Sequence, residues 1–134
     1  MRSGILMGMQ ILVHLLQTTV ALGIIDVWLL RSDFPTPYRG GSSRSLKEEF
    51  AAYGLPSWVF YLVGALKLLA AALLLAGLWI PSLALGAAVV MAVLMAGAVS
   101  MHVKVKDPFA RSLPALVVLA FAITIALFYG TRTG

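Results

Sequence analysis

Cysteine is absent from the 134 residues, and charge is scarce: only 11% of the chain is charged, with five acidic residues against ten lysines and arginines. The missing cysteine excludes a disulfide, a thiol redox relay and a thiolate metal site. The missing charge excludes a soluble globular domain, in which about a quarter of the residues are charged. It excludes a disordered or collagen-like chain as well, because 61% of the residues are hydrophobic. No Gly-rich phosphate loop, H-x-x-x-H pair or Ser-His-Asp spacing occurs. Histidine occurs twice, as His14 and His102. Helix rise puts the two nearly ~20 Å apart in depth, so they cannot share one metal within a chain, and no metal site is expected. A haem with one axial histidine stays open.

What the sequence has instead is long apolar runs, with a mean hydropathy of +0.99. A membrane-spanning helix needs about 20 predominantly apolar residues. Four segments meet that length, at about 4–30, 58–80, 82–103 and 113–130. The fold class is therefore all-α, an integral membrane four-helix bundle in a single domain over 1–134. The first segment is too long for the h-region of a signal peptide and is expected to stay as a span. An even number of spans puts both termini on one side. Trp79, Ile80, Pro81 and Ser82 alone separate spans two and three, which predicts a tight antiparallel hairpin.

One face carries Arg31, Arg39, Arg44, Lys47, Lys104, Lys106 and Arg111, and the other only Arg2 and Arg132. Lys- and Arg-rich short loops stay in the cytoplasm. The expected topology is a multi-pass protein of a bacterial inner membrane, with loops 31–57 and 104–112 inside and both termini outside. This topology explains the net charge of +5 and removes any reason to expect a nucleic-acid partner. The lipid bilayer is the expected surrounding.

Ser45 and Glu48 form an S-x-x-E capping box. Leu46, Phe50 and Tyr53 share one helical face, and Gly54 and Pro56 end the pattern. These residues predict a short interfacial amphipathic helix over 46–53, between spans one and two. Trp28, Trp58, Trp79 and Tyr129 fall near span ends and are expected to anchor the protein at the interface. Ala84, Ala88, Ala92, Ala96 and Ser100 repeat at i+4 in span three, with Ala122, Ala126 and Gly130 in span four and Ala72 and Ala76 in span two. Such small-residue stripes predict close helix seams, either within the bundle or across a homodimer. Asp107-Pro108 reads as an N-cap followed by proline, and Pro114 falls in the first turn of span four.

Polar residues inside the bilayer are the functional candidates. Gln10, His14 and Gln17 lie on one face of span one, with Thr18 beside them. Lys67 falls near the middle of span two. Helix rise sets Gln17 level with Lys67, and His14 about 4.5 Å away in depth. Together they predict a ligand-binding set of Lys67, His14, Gln17, Gln10 and Thr18, with Lys67 and His14 as the catalytic candidates. No acid shares the depth of Lys67 in any span. Its amine must then bond to Gln17, Thr18 or carbonyls, meet a ligand, deprotonate, or snorkel to a wet cavity. Asp26, Ser100 and His102 form a second expected cluster, in which an Asp26–His102 hydrogen bond ties two helix ends.

The order of Tyr53-Gly54-Leu55-Pro56, then Tyr61-Leu62-Val63-Gly64-Ala65-Leu66-Lys67-Leu68, then the Pro81 turn, then Met101-His102 before Asp107-Pro108, resembles the DoxX-like family of small four-span bacterial membrane proteins. Many relatives place an acidic residue near the position of Lys67. The resemblance implies the four-span fold and a link to membrane redox chemistry, since one branch is similar to the small subunit of a thiosulfate:quinone oxidoreductase and another is tied to oxidative-stress complexes. A eukaryotic relative of similar layout acts as an assembly chaperone. Three functions follow as expectations. The first is a redox-associated subunit or small enzyme binding a quinone-like lipophilic molecule, in association with a membrane oxidoreductase. The second is a non-catalytic protein that binds an assembly partner. The third is a small transporter formed by oligomerisation.

Overall fold

The computed structural model describes residues 2–132. Helix α1 (Arg2–Ile25) continues through a π-helical turn at Asp26–Leu30. The short α2 (Leu46–Ala52) follows a long connection, and α3 (Ser57–Ala76), α4 (Ser82–Lys104) and α5 (Leu113–Arg132) complete the chain. A 3-10 turn at Phe109–Ser112 leads into α5. Four of these helices are long and apolar enough to cross a membrane, and together they form a helical bundle of a multi-pass membrane protein.

The bundle is a closed ring. α1 packs between α3 and α5, and α4 closes the far side between the same two. Each spanning helix alternates direction with the next, so the α1–α3 connection and the α4–α5 connection lie at one end. The α3–α4 turn lies at the other. Large apolar side chains such as Leu15, Leu69, Val93 and Leu127 point outward and stay exposed. That is the surface a lipid-facing helix presents, since the bilayer itself solvates apolar groups.

The interior seam uses small residues, but not on a strict i+4 repeat. Ala84 and Ala88 are fully buried, Ala92 is half-buried, and Ala96 and Ser100 are exposed. Four residues advance about 400° around a helix with 3.6 residues per turn. An i+4 row therefore drifts off the contact face within three steps. The buried row is Ala84, Ala87, Ala88, Met91, Met95 and His102, which follows a mean spacing near 3.5. The same drift puts Ala70, Ala71 and Leu74 inside α3, while Ala72 faces outward.

Two helix ends reverse the chain by the same device. At the end of α2, Gly54 N–H donates to Ala51 O (3.0 Å) and Leu55 N–H to Phe50 O (3.1 Å), with Gly54 at φ +80°. At the end of α4, Lys106 N–H donates to Val103 O (3.0 Å) and Asp107 N–H to His102 O (3.0 Å), with Lys106 at φ 58°. Both are Schellman motifs, which cap the last carbonyls through a left-handed residue. The second folds Asp107 back over His102. The capping box is present in modified form. Ser45 Oγ accepts from Glu48 N–H at 3.1 Å, while the Glu48 carboxylate accepts from Arg44 N–H at 2.7 Å, one residue before the cap.

Candidate intramembrane cavity

A cavity of about 620 Å³ opens at the loop end of the bundle and reaches Lys67, halfway along α3. Its walls are apolar, with Ile24 and Val27 from α1 and its π-turn, Met95 from α4, and Val118 from α5. Residues 35–39 and α2 roof it. Into this space converge Lys67, Glu49, Arg39 and His102, all four side chains more than nine-tenths buried. An apolar volume in the range of about 300–1,000 Å³ with a few convergent polar groups is the form of a small-molecule site.

Lys67 rests on an aromatic platform. Its Nζ lies 5.3 Å from the centroid of the Trp28 ring, a cation–π contact. The Trp28 ring stacks on Phe60 at 5.2 Å and 27°, and meets Phe50 edge-on at 5.8 Å. Gly64 makes this possible, because a Cβ there would fall 2.6 Å from Trp28 Cζ3. Trp28 is thus buried and builds the site, where interfacial anchoring was expected of it. The π-turn that carries it adds a residue to the helical turn, a local widening common at functional sites. Trp58 and Trp79 do stay exposed at the ends of α3.

The Lys67 amine makes no hydrogen bond to another described residue. The expected contact with Gln17 does not form. Gln17 is fully buried further along α1, where its Nε2 donates to Leu74 O at 2.9 Å and its Oε1 accepts from Tyr129 Oη at 2.6 Å. Trp28 beside Gly64 and Gln17 beside Leu74 fix the register of α1 on α3. On that register Ile24 is level with Lys67, and His14 is about 15 Å away along the axis. His14 is half-buried and its carbonyl accepts from Thr18 Oγ1 at 2.9 Å, while Gln10 is exposed. The five residues grouped by depth therefore split. Lys67 faces the cavity, and Gln17 fastens three helices elsewhere. Depth counted from predicted span ends failed because α1 with its π-turn is 29 residues long and α3 only 20. Tyr129, expected at the interface, is buried as the partner of Gln17.

The second expected cluster is also rearranged. Asp26 pairs with Arg31 at 2.6 Å, and Ser100 Oγ donates to its own helix at Ala96 O. His102 turns instead toward α2 and Asp107. Its Nδ1 lies 2.8 Å from Asp107 Oδ2, and its Nε2 lies 3.3 Å from Tyr53 Oη and 3.7 Å from Glu49 Oε1. Tyr53 Oη donates to Glu49 Oε1 at 2.5 Å. Arg39 Nη1 lies 3.6 Å from Glu49 Oε2, and Arg39 Nη2 donates to the carbonyls of Arg31 and Phe34. Arg39 Nε is buried without an acceptor among the described residues.

Asp107 is not the N-cap that its position before Pro108 suggested. Its side chain is 3% exposed and accepts from Gly41 N–H (3.0 Å), Arg111 Nη1 (2.9 Å) and His102. Arg111 Nη1 also donates to the Gly41 carbonyl. Burial pushes the Asp107 carboxyl up, but the Gly41 N–H, His102 and Arg111 outweigh it and hold it below its usual range. Burial and the neighbouring Glu49 push the Tyr53 phenol well above its usual range. Lys104 Nζ donates to Tyr53 O at 2.8 Å and ties the end of α2 to the end of α4.

Glu49 is the acid that sequence reasoning did not bring to the cavity of Lys67. It comes from α2 and not from a span. Its position was readable, because Leu46, Glu49, Phe50 and Tyr53 share one helical face by i, i+3, i+4 and i+7 spacing. A lone carboxylate on the apolar face of an amphipathic helix marks a buried charge, and a buried charge needs partners. Arg39, in a turn-rich segment without periodicity, carried no such signal.

The DoxX-like family model matches residues 41–125, which hold Glu49, Tyr53, Lys67, His102, Asp107 and Arg111. Comparison with curated proteins and with solved structures gives no match. Four spanning helices, the interfacial helix after a long first loop, and a family match over more than half the sequence agree: the chain belongs to the DoxX-like family.

Proposed function

We propose that this protein binds a lipophilic small molecule with a hydrogen-bond-accepting head group, of the quinone type, in the cavity beside Lys67, and acts as a redox-associated subunit or small membrane enzyme. The observation that carries this reading is an amine without an acceptor in a largely apolar cavity. Among the described residues, Lys67 Nζ has only the Trp28 ring beneath it. An acceptor oxygen on a ligand gives that amine a partner, and Ile24, Val27, Met95 and Val118 suit an apolar ring or tail. When bound, a quinone supplies two-electron redox chemistry. The protein's part is to hold the head group beside Lys67 and to exclude water.

The Lys- and Arg-rich end of the bundle, which holds the cavity mouth, faces the cytoplasm of a bacterial inner membrane in this proposal. The natural absence of cysteine makes the orientation simple to test. Ser3→Cys and Ser43→Cys proteins are labelled in intact cells with a membrane-impermeant maleimide. Labelling of Ser3→Cys alone supports the topology, and labelling of Ser43→Cys alone reverses it.

The ligand reading is tested by native mass spectrometry of the detergent-purified protein, followed by denaturing extraction. Wild type is expected to retain a stoichiometric lipophilic molecule, and Lys67→Met is expected to lose it while keeping its fold. Empty wild-type protein that also fails to bind an added short-tailed benzoquinone refutes the reading.

A further inference from the structure

Donor and acceptor accounting along the cavity wall leaves one proton without a fixed owner. Glu49 Oε1, Tyr53 Oη and His102 Nε2 form a sharply bent row, at 2.5 Å and 3.3 Å about the hydroxyl, with its two ends 3.7 Å apart. Asp107 anchors the row from behind. It already accepts from the Gly41 N–H and from Arg111, and it lies 2.8 Å from His102 Nδ1, so Nδ1 carries a hydrogen. The Tyr53 hydroxyl has one hydrogen to give. If that hydrogen points at Glu49, then Nε2 must donate to the phenolic oxygen, and His102 is an imidazolium beside an ionised Glu49. If it points at Nε2, then Glu49 must carry a hydrogen and donate it to the phenolic oxygen, beside a neutral imidazole. The two arrangements contain the same number of protons. They interconvert when the Nε2 proton passes to Tyr53 Oη as the Tyr53 proton passes to Glu49 Oε1. Each O–H or N–H bond broken is matched by one formed.

Both ends of this row line the cavity. We propose that Glu49, Tyr53 and His102, oriented by Asp107, form a one-proton acid–base site that serves the head group held at Lys67, so that the occupant is a molecule whose oxygen gains or loses a proton on the protein. This inference rests on the ligand reading above. In its ionised form Glu49 accepts a hydroxyl proton. The O–H bond of the head group breaks, the O–H bond on Glu49 forms, and the oxyanion left behind faces Lys67. In the reverse direction Glu49 returns the proton. Tyr53 passes protons without ionising, because burial and Glu49 keep its phenol protonated.

The charges around the row come from every packed element. Arg39 from the first loop lies 3.6 Å from Glu49. Lys67 from α3 lines the same cavity, and Arg31 lines it while paired with Asp26. Lys104 from α4 holds the Tyr53 carbonyl, and Arg111 holds Asp107. Cations thus surround the row, and Glu49 and Asp107 are the acids that touch it.

The test uses the full chain in lipid nanodiscs, with labelled histidine and glutamate read by NMR across pH. The His14→Gln protein identifies the His102 signals. In wild type the Glu49 carboxyl and the His102 ring are expected to change over one shared pH interval. Tyr53→Phe keeps the ring contacts with Phe50 and His102 but removes the hydroxyl. It is expected to move the two changes apart, while the direct 3.7 Å approach of Glu49 to His102 keeps them partly coupled. A His102 titration that is the same in wild type, Tyr53→Phe and Glu49→Gln overturns the proposal. Ultraviolet difference spectroscopy with a short-tailed benzoquinol then reads whether the bound head group has lost its proton to the protein. Wild type is expected to show the absorbance of the quinol oxyanion, and Glu49→Gln that of the neutral quinol at the same pH. The same spectrum in both overturns the proposal. If the benzoquinol does not bind while the shared titration persists, the quinone reading falls and the shared proton stands.

Discussion

Replacing Gly64 by alanine adds one methyl group at the tightest contact of the site. The new Cβ would meet Trp28 Cζ3 at 2.6 Å and Cε3 at 2.8 Å. Carbon atoms rest about 3.5–4.0 Å apart, so the indole and α3 must separate by about 1 Å. The indole has nowhere to go. Phe60 stacks against it, Phe50 meets it edge-on, and Lys67 lies over it. Overpacking of this kind costs about 1–3 kcal/mol. Gly97→Ala is the control, because a Cβ there meets nothing within 4 Å, and alanine in an exposed helix gains up to about 1 kcal/mol over glycine. The helix-propensity gain is common to both, so the two variants are expected to differ by about 1–3 kcal/mol. The assay is reversible unfolding of detergent-solubilised protein in increasing dodecyl sulfate. It is read by indole fluorescence after Trp58 and Trp79, both exposed, are changed to phenylalanine. Trp28 is then the sole reporter. Gly64→Ala is also expected to weaken retention of a cavity ligand, since Trp28 supports Lys67. Stabilities of Gly64→Ala and Gly97→Ala within about 0.5 kcal/mol of each other would refute the reasoning.

Gln17 and Tyr129 make a double-mutant cycle. Gln17→Leu leaves the Tyr129 hydroxyl and the Leu74 carbonyl side without their partner, and the coupling to Tyr129→Phe is expected at about 0.5–1.5 kcal/mol in the same unfolding assay; additive losses would show that the bond contributes nothing. Asp107→Asn is expected to destabilise the loop end at neutral pH. The Asp107 carboxyl titrates lower in the folded protein than its unfolded value of about 3.9, so its stabilisation is full above that value and lost as pH falls through the folded one. The stability gap between wild type and Asp107→Asn should then narrow as pH is lowered from about 6 to about 3, and a gap that widens contradicts the assignment. Lys106 sits in the left-handed region at φ 58°, where a side chain costs about 1–2 kcal/mol. Lys106→Gly is expected to raise the melting temperature slightly and leave the His102–Asp107 contact in place, while a lower melting temperature would show that the lysine side chain contributes more than the strain.

The spans, the hairpin at Pro81 and the interfacial helix were legible because each depends on local chemistry. Twenty apolar residues, a proline turn and an S-x-x-E box mean the same thing wherever they occur. Lys67 was legible for a similar reason, since a charge at mid-span is costly in any arrangement. Its companions were not. Which side chains meet Lys67 depends on the register of α1 against α3, and that register is fixed by Trp28 fitting over Gly64 and by Gln17 reaching Leu74 and Tyr129. Those are contacts between residues up to 112 positions apart, and no local pattern encodes them. The sequence by itself thus determined that this is a membrane bundle with one misplaced lysine. Only the tertiary structure decided that the lysine faces a cavity roofed by α2, with Glu49, Tyr53, His102 and Asp107 beside it. The physical reason is that burial in a bilayer is set by composition along each helix, whereas the pairing of buried polar groups is set by how the helices rotate and slide against one another.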